Sequence, residues 1–111
     1  MPITRSDEPE LILTLRASGL STHGGEVAFP GGRRDPEDPD LVFTALREAE
    51  EEIGLPPGLV EVIGPLSPLI SLHGIRVTPY VGVIPDYVEY LANDAEIAAV
   101  FSVPLEFFRQ D

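Results

Sequence analysis

Apolar positions arrive along this chain in short bursts, and only one of those bursts has helical spacing. "ELILTLRAS" (Glu10 to Ser18) is apolar and rich in β-forming residues behind the turn-like "SDEP", which predicts a strand. After the loop "STHGG", the stretch "EVAFPGG" (Glu26 to Gly32) predicts a short strand running into a glycine turn. "RRDPEDPD" carries two prolines and four acidic residues, a composition that excludes helix there. From Leu41 the period changes. Val42, Ala45, Leu46, Ala49 and Ile53 fall three and four apart with one adjacent pair, the stripe of a helix packed on one side. Asp40 stands at the N-cap and Gly54 just past the last residue, so the helix is predicted over 41–53.

Beyond "LPPG" the short bursts return. "LVEVIGPL" and "PLISLHG" predict strands, and 75–84 alternates in part, with Pro79 marking an edge or a bulge. "EIAAVFSVP" predicts a last strand, and "PLEFFRQ" a helical turn or the start of a helix. One helix among many short strands is a mixed α/β domain, and no internal repeat or linker divides residues 1–111.

Composition narrows the function. The chain has 111 residues, enough for one modest core, with 43% hydrophobic and 23% charged residues, as in a globular domain. Nineteen acidic against seven basic residues give a net charge of −12, a field that repels nucleic-acid backbones. An anionic substrate would therefore need a cation to mask the carboxylates. With no cysteine there is no disulfide, thiolate metal site or cysteine nucleophile. "MPITRSDEPE" lacks the apolar segment of a signal peptide, and no run approaches the ~20 apolar residues of a spanning helix, so a cytoplasmic protein without membrane contact is the default expectation.

The helix carries the candidate chemistry. "ALREAEEEIGL" places Glu48, Glu50, Glu51 and Glu52 in five positions. Like charges four apart destabilise a helix by roughly 0.2–0.5 kcal/mol per pair, so some compensation is expected. Glu48, Glu51 and Glu52, at i, i+3 and i+4, share a face distinct from the apolar stripe, while Glu50 points elsewhere. Such an oxygen-rich face suits a hard divalent cation such as Mg²⁺ or Mn²⁺; a solvated acidic face is the other reading. The backbone at Gly31 and Gly32 can bend close to the helix and offer a carbonyl as a further ligand.

"GGRRDPEDPDLVFTALREAEEEIGL" resembles the Nudix box, G-x5-E-x7-R-E-U-x-E-E-x-G-U with U aliphatic, which here occupies 32–55. Arg47, Glu48, Ala49, Glu51, Glu52, Gly54 and Leu55 match. Asp38 replaces the first glutamate, and eight residues rather than seven separate it from Arg47. That longer spacing is similar to the coenzyme A pyrophosphatase-like members of the family. Their upstream pattern L-T-x-R-[SA]-x3-R-x3-G-x3-F-P-G-G is matched at Leu13, Thr14, Arg16, Ala17, Gly25, Phe29, Pro30, Gly31 and Gly32. Ser21 stands where the pattern has a second arginine, which removes a cation expected near an anionic substrate.

The resemblance implies a Nudix-type α/β/α sandwich with a mixed sheet, shortened at both ends. It also implies metal-dependent hydrolysis of a pyrophosphate bond in a nucleoside diphosphate derivative. Coenzyme A or acyl-CoA comes first, giving 3′,5′-ADP and (acyl-)phosphopantetheine; ADP-ribose or NADH, or a non-catalytic Nudix-fold binding module, are the alternatives. Glu51 and Glu52 are implied metal ligands, Glu48 a ligand or the base that activates water, the Gly31 carbonyl a backbone ligand, and Gly31 and Gly32 part of the substrate-binding turn. Arg47 is implied to orient the carboxylates. Arg16 is either the grip on substrate phosphate or nucleotide, or a surface arginine at a strand end. Glu96 is either a late extra carboxylate ligand or a solvated strand end. Asp38 is read as a cap or brace of its loop ahead of a metal ligand, His23 as a surface or packing residue ahead of a ligand, and His73, Phe107 and Phe108 as core or loop packing. Sheet edges exposed by a short chain favour a homodimer.

Overall fold

Ile12 and Thr14 alternate with Leu11 and Leu13 along one strand, and all four are buried, so this strand has protein on both faces. A computed structural model describes residues 1–18, 25–70, 74 and 76–108 of the chain. The strand is β2 (Glu10–Arg16), preceded by β1 (Pro2–Thr4) and followed by β3 (Val27–Ala28), α1 (Leu41–Ile53), β4 (Glu61–Pro65), β5 (Leu69–Ile70), β6 (Arg76–Val77), β7 (Tyr80–Ile84) and β8 (Ile97–Pro104). Short 3₁₀ turns span Pro57–Leu59 and Leu105–Phe108.

β2 organises the main sheet. β8 runs antiparallel along one side of it, from Glu10 opposite Pro104 to Arg16 opposite Ile97. β1 and β3 share the other side, with Ile3 opposite Leu11 and Thr14 opposite Ala28. β1 then pairs in parallel with β7, and β7 antiparallel with β4, so the sheet is mixed. β5 and β6 form a separate two-stranded sheet.

α1 packs on this sheet through Ala49 and Ile53, which join Ile12, Leu55 and Ile84 in the buried core. Full burial of a side chain the size of Ile53 stabilises by roughly 1.5–3 kcal/mol. This is the mixed-sheet α/β arrangement expected from the sequence; α1 is the one α-helix among the described residues. Its bounds are those predicted. The Asp40 carboxylate accepts from the Phe43 N–H at 2.8 Å, and Gly54 closes the helix in the left-handed region at φ 69°.

Several expectations need correction. The alternation read over 75–84 resolves, over residues 76–84, into two strands interrupted at Thr78 and Pro79, because proline cannot donate to a ladder. The strand read over 10–18 ends at Arg16. β1 was not expected; three residues are too few for a period-2 pattern, and its pairing with β7 is set by distant chain. In the helix, Val42, Ala45 and Leu46 are only half-buried and line an apolar cavity of about 40 Å³ with Pro30, Tyr80 and Val81. Thr44 and Glu52 are buried instead. No described helix is long and apolar enough to cross a membrane.

Candidate active site on the glutamate helix

The site grows from three pieces of chain: the end of β2, the glycine turn after β3, and α1. Alternation along β2 puts Arg16 on the same face as Ile12, which packs on α1. The β2–β8 register slips between Leu15 and Arg16, with Leu15 opposite Ala99 and Arg16 opposite Ile97, a bulge of the kind that re-aims side chains. Arg16 stands close enough to Glu52 to favour that residue's ionised form. Its Nε is buried and has no hydrogen-bond partner among the described residues.

Glu52 is the unusual carboxyl. It is 3% exposed, because its position beside Ile53 and beneath the glycine turn draws it into the helix–sheet interface. The Gly31 N–H donates to its Oε1 at 3.3 Å. Burial pushes its pKa up to about 8, the Gly31 hydrogen bond opposes that rise, and the charge of Glu48 and a hydrogen bond with it add to it. Glu52 is thus a buried carboxyl beside the partly buried Glu48. Gly32 makes room for it: a Cβ there would stand 2.6 Å from the Glu48 carboxyl carbon, so this position admits no side chain without displacing the carboxylate.

Arg47 ties the helix to the acidic loop. Its Nε donates to Asp38 Oδ1 at 3.1 Å and its Nη2 to Asp38 Oδ2 at 3.0 Å, a two-point bond. Its Nη1 donates to Glu48 Oε1 at 3.1 Å and Glu51 Oε2 at 3.0 Å. Asp38, 3% exposed, also accepts from Thr44 Oγ1 at 2.8 Å and the Asp35 N–H at 2.9 Å. The guanidinium first, with these donors, holds the Asp38 pKa down to about 2 against the effect of burial. Arg47 is correspondingly held in its charged form, chiefly by Asp38.

The structure therefore brings Arg16, Gly31, Gly32, Arg47, Glu48 and Glu52 together. It leaves Glu51 on the solvent side, 55% exposed and paired with Arg47. Among the described residues, no three His, Cys, Asp or Glu side chains stand gathered as a ready metal cage. Glu96 lies at the same end of the sheet, its carbonyl accepting from the Ala17 N–H at 2.8 Å. Asp38 occupies the bracing place read for it. Phe107 and Phe108 are exposed and meet edge to face. Ser21, His23 and His73 lie outside the described residues. Sequence reasoning missed Thr44 and Arg34: the first donates to the Asp38 carboxylate and the second donates to the Asp38 carbonyl at 2.8 and 3.0 Å. A polar residue between apolar helix positions, as Thr44 is, was the available signal.

The donor chemistry suits a divalent cation, although among the described residues the side chains are not gathered into a cage. The buried Glu52 carboxyl, bonded by the Gly31 N–H, stands beside the partly buried Glu48 carboxylate, bonded by Arg47, and both offer hard oxygen atoms.

A family model described as the NUDIX domain matches residues 1–106, and the chain belongs to the Nudix family. It is 50% identical over 105 residues to the "Uncharacterized Nudix hydrolase NudL" of Yersinia pestis (strain Pestoides F), covering 95% of this chain and 53% of that protein. The same values relate it to the protein of that name from Yersinia pseudotuberculosis serotype O:1b (strain IP 31758). The chain thus spans about half the length of the curated relatives it matches. Among solved structures, it resembles a C. elegans Ap4A hydrolase binary complex with TM-score 0.77 at 17% identity, covering 95% of this chain and 76% of that one. The Nudix domain of Shewanella oneidensis NrtR, complexed with ADP ribose, aligns with TM-score 0.71 at 22% identity, covering 96% of this chain and 70% of that one. At these identities the likeness is one of fold.

Proposed function

We propose that this domain hydrolyses a pyrophosphate bond in a nucleoside diphosphate derivative, with coenzyme A or an acyl-CoA as the substrate. Water adds across the P–O–P anhydride, and the products are 3′,5′-ADP and (acyl-)phosphopantetheine. The observation that carries the reading is the buried Glu52 carboxyl paired with Glu48 beneath Gly31 and Gly32. The choice of coenzyme A rests on the longer box spacing and the upstream pattern from Leu13 to Gly32.

Glu48, Glu51 and Glu52, with the Gly31 carbonyl, are the residues that would hold Mg²⁺ or Mn²⁺; Glu96 is a candidate for one further oxygen. When bound, the ion neutralises the diphosphate and lowers the pKa of the attacking water. The protein's own groups do the rest. Where it does not hold the ion, Glu48 is the base that accepts the proton of that water. Arg16, with its buried free Nε–H, grips a phosphate oxygen and offsets charge as the anhydride opens. Arg47 touches neither: it fixes the carboxylates' directions against the Asp38 brace.

A second reading, hydrolysis of ADP-ribose or NADH, draws support from the ADP-ribose complex of the NrtR domain. Product analysis separates the two. Coenzyme A, ADP-ribose and NADH are each incubated with the protein and Mg²⁺ or Mn²⁺, beside Glu52→Gln. Metal-dependent 3′,5′-ADP, absent in the variant, is the expected result; turnover of ADP-ribose or NADH alone moves the substrate. No turnover of any of them by folded protein would leave a binding module.

A further inference from the structure

The carbonyls of a helix's last turn have no partner within the helix, and what satisfies them decides how firmly that end is held. In α1 this last turn carries Glu52. Gly54 N–H serves the Glu50 carbonyl at 2.9 Å. The carbonyls of Ile53 and Glu52 are served from a distant segment: Leu91 N–H donates to Ile53 at 2.9 Å and Asn93 N–H to Glu52 at 2.8 Å. The approach is close, since a Cβ on Gly54 would lie 3.2 Å from Leu91 Cβ.

The same segment turns at once into β8. Asn93 Oδ1 accepts from the Ala95 N–H at 3.2 Å, an Asx-type turn, and the Asn93 carbonyl accepts from Glu96 at 2.9 Å and Ile97 at 2.8 Å. Glu96 then accepts from Ala17, and Ile97 stands opposite Arg16 in the ladder. A continuous hydrogen-bonded path therefore joins the backbone of Glu52 to the backbone beside Arg16. The two side chains meet again across the site, where the Arg16 charge acts on the Glu52 carboxyl. The backbone arm of this ring passes through the turn at Asn93.

We propose that Asn93 is a positioning residue: its side-chain-stabilised turn holds the Glu52 end of α1 at a set distance from the Arg16 end of β2. The role rests on the reading that Glu52 holds a divalent cation and Arg16 the substrate phosphate. Asn93 touches neither ligand. Without its Oδ1, the Ala95 N–H loses its acceptor, the turn is left to its backbone bonds, and the helix end is held less firmly relative to β2.

The test uses the whole chain and Mn²⁺ alone, titrated calorimetrically, with amide hydrogen exchange at Leu91 and Asn93. Asn93→Ala is expected to weaken Mn²⁺ binding about 10-fold, within the range typical of residues that orient metal ligands, and to speed exchange at both amides. Asn93→Asp and Asn93→Ser, which keep an acceptor oxygen with and without added charge, should restore affinity and protection together. Glu52→Gln should abolish tight binding while leaving the two amides protected. Wild-type affinity in Asn93→Ala would overturn the positioning role while leaving the site reading intact. So would a loss of affinity that neither Asp nor Ser restores. Equal binding by wild type and Glu52→Gln would remove the site reading, and the positioning role with it.

Discussion

The Gly31 N–H donates to Glu52 Oε1, joining the glycine turn to a helix position 21 residues further along. Among the described residues, that contact is the one backbone donor on a carboxyl otherwise buried beside another carboxyl. Burial prevails over the hydrogen bond, and the Glu52 pKa rises to about 8.

Cation binding should therefore expel a proton. In ion-free protein at pH 7 Glu52 is mostly protonated, while a bound ion requires the carboxylate. Titration of Mg²⁺ or Mn²⁺ at pH 7 in two buffers of different ionisation enthalpy is expected to show release approaching one proton, fading above about pH 9. The same group sets a trend in stability. Its folded pKa lies above the ordinary glutamate value of 4.5, so its contribution is full below about pH 4.5 and is lost as pH rises towards 8. Ion-free protein should thus lose stability across that window, and Glu52→Gln should flatten the trend, as followed by thermal melts in chelator.

Gly32→Ala should damage binding more than folding. The added Cβ falls on the Glu48 carboxylate, the far end of a side chain held by Arg47 and Glu52. The carboxylate swings away and the backbone stays. The expected outcome is at least a 10-fold loss of Mn²⁺ affinity, of the order seen when metal ligands are misoriented, with little change in the thermal midpoint.

Asp38 gives an acid limb of opposite sign. Its pKa is depressed from 3.8 to about 2, chiefly by the Arg47 guanidinium. The contribution is present above about pH 3.8 and lost as pH falls towards 2. Asp38→Asn should lower the melting point at pH 7, since it leaves Arg47 without its two-point partner, and should weaken the pH dependence between 4 and 2. Unchanged acid unfolding in the variant would remove Asp38 as the brace.

Gly54→Ala is expected to cost about 1–2 kcal/mol, the penalty for a side chain in left-handed backbone. The backbone at Gly54 has φ 69° and Leu91 is packed against it. A denaturant midpoint that falls with an unchanged slope would match; no shift would mean that the helix end can re-form otherwise.

Much of this was local and therefore legible. The helix over 41–53, its Asp40 and Gly54 caps and the run of glutamates depend on spacing and capping within a dozen residues, which is why the bounds of α1 and the membership of the family were readable before any fold. The sequence by itself determined which chemistry α1 could carry: carboxylates, an arginine, and a glycine turn to bend against them. Tertiary structure decided which carboxylate is buried. Helical periodicity grouped Glu48, Glu51 and Glu52 on one polar face. Packing of α1 on β2 took Glu52 into the interface and left Glu51 outside with Arg47, because that boundary depends on what covers the helix and not on the period. The short β1, the Thr44–Asp38 bond and the path through Asn93 were equally out of reach, each being a pairing made by residues that meet only when the sheet is assembled.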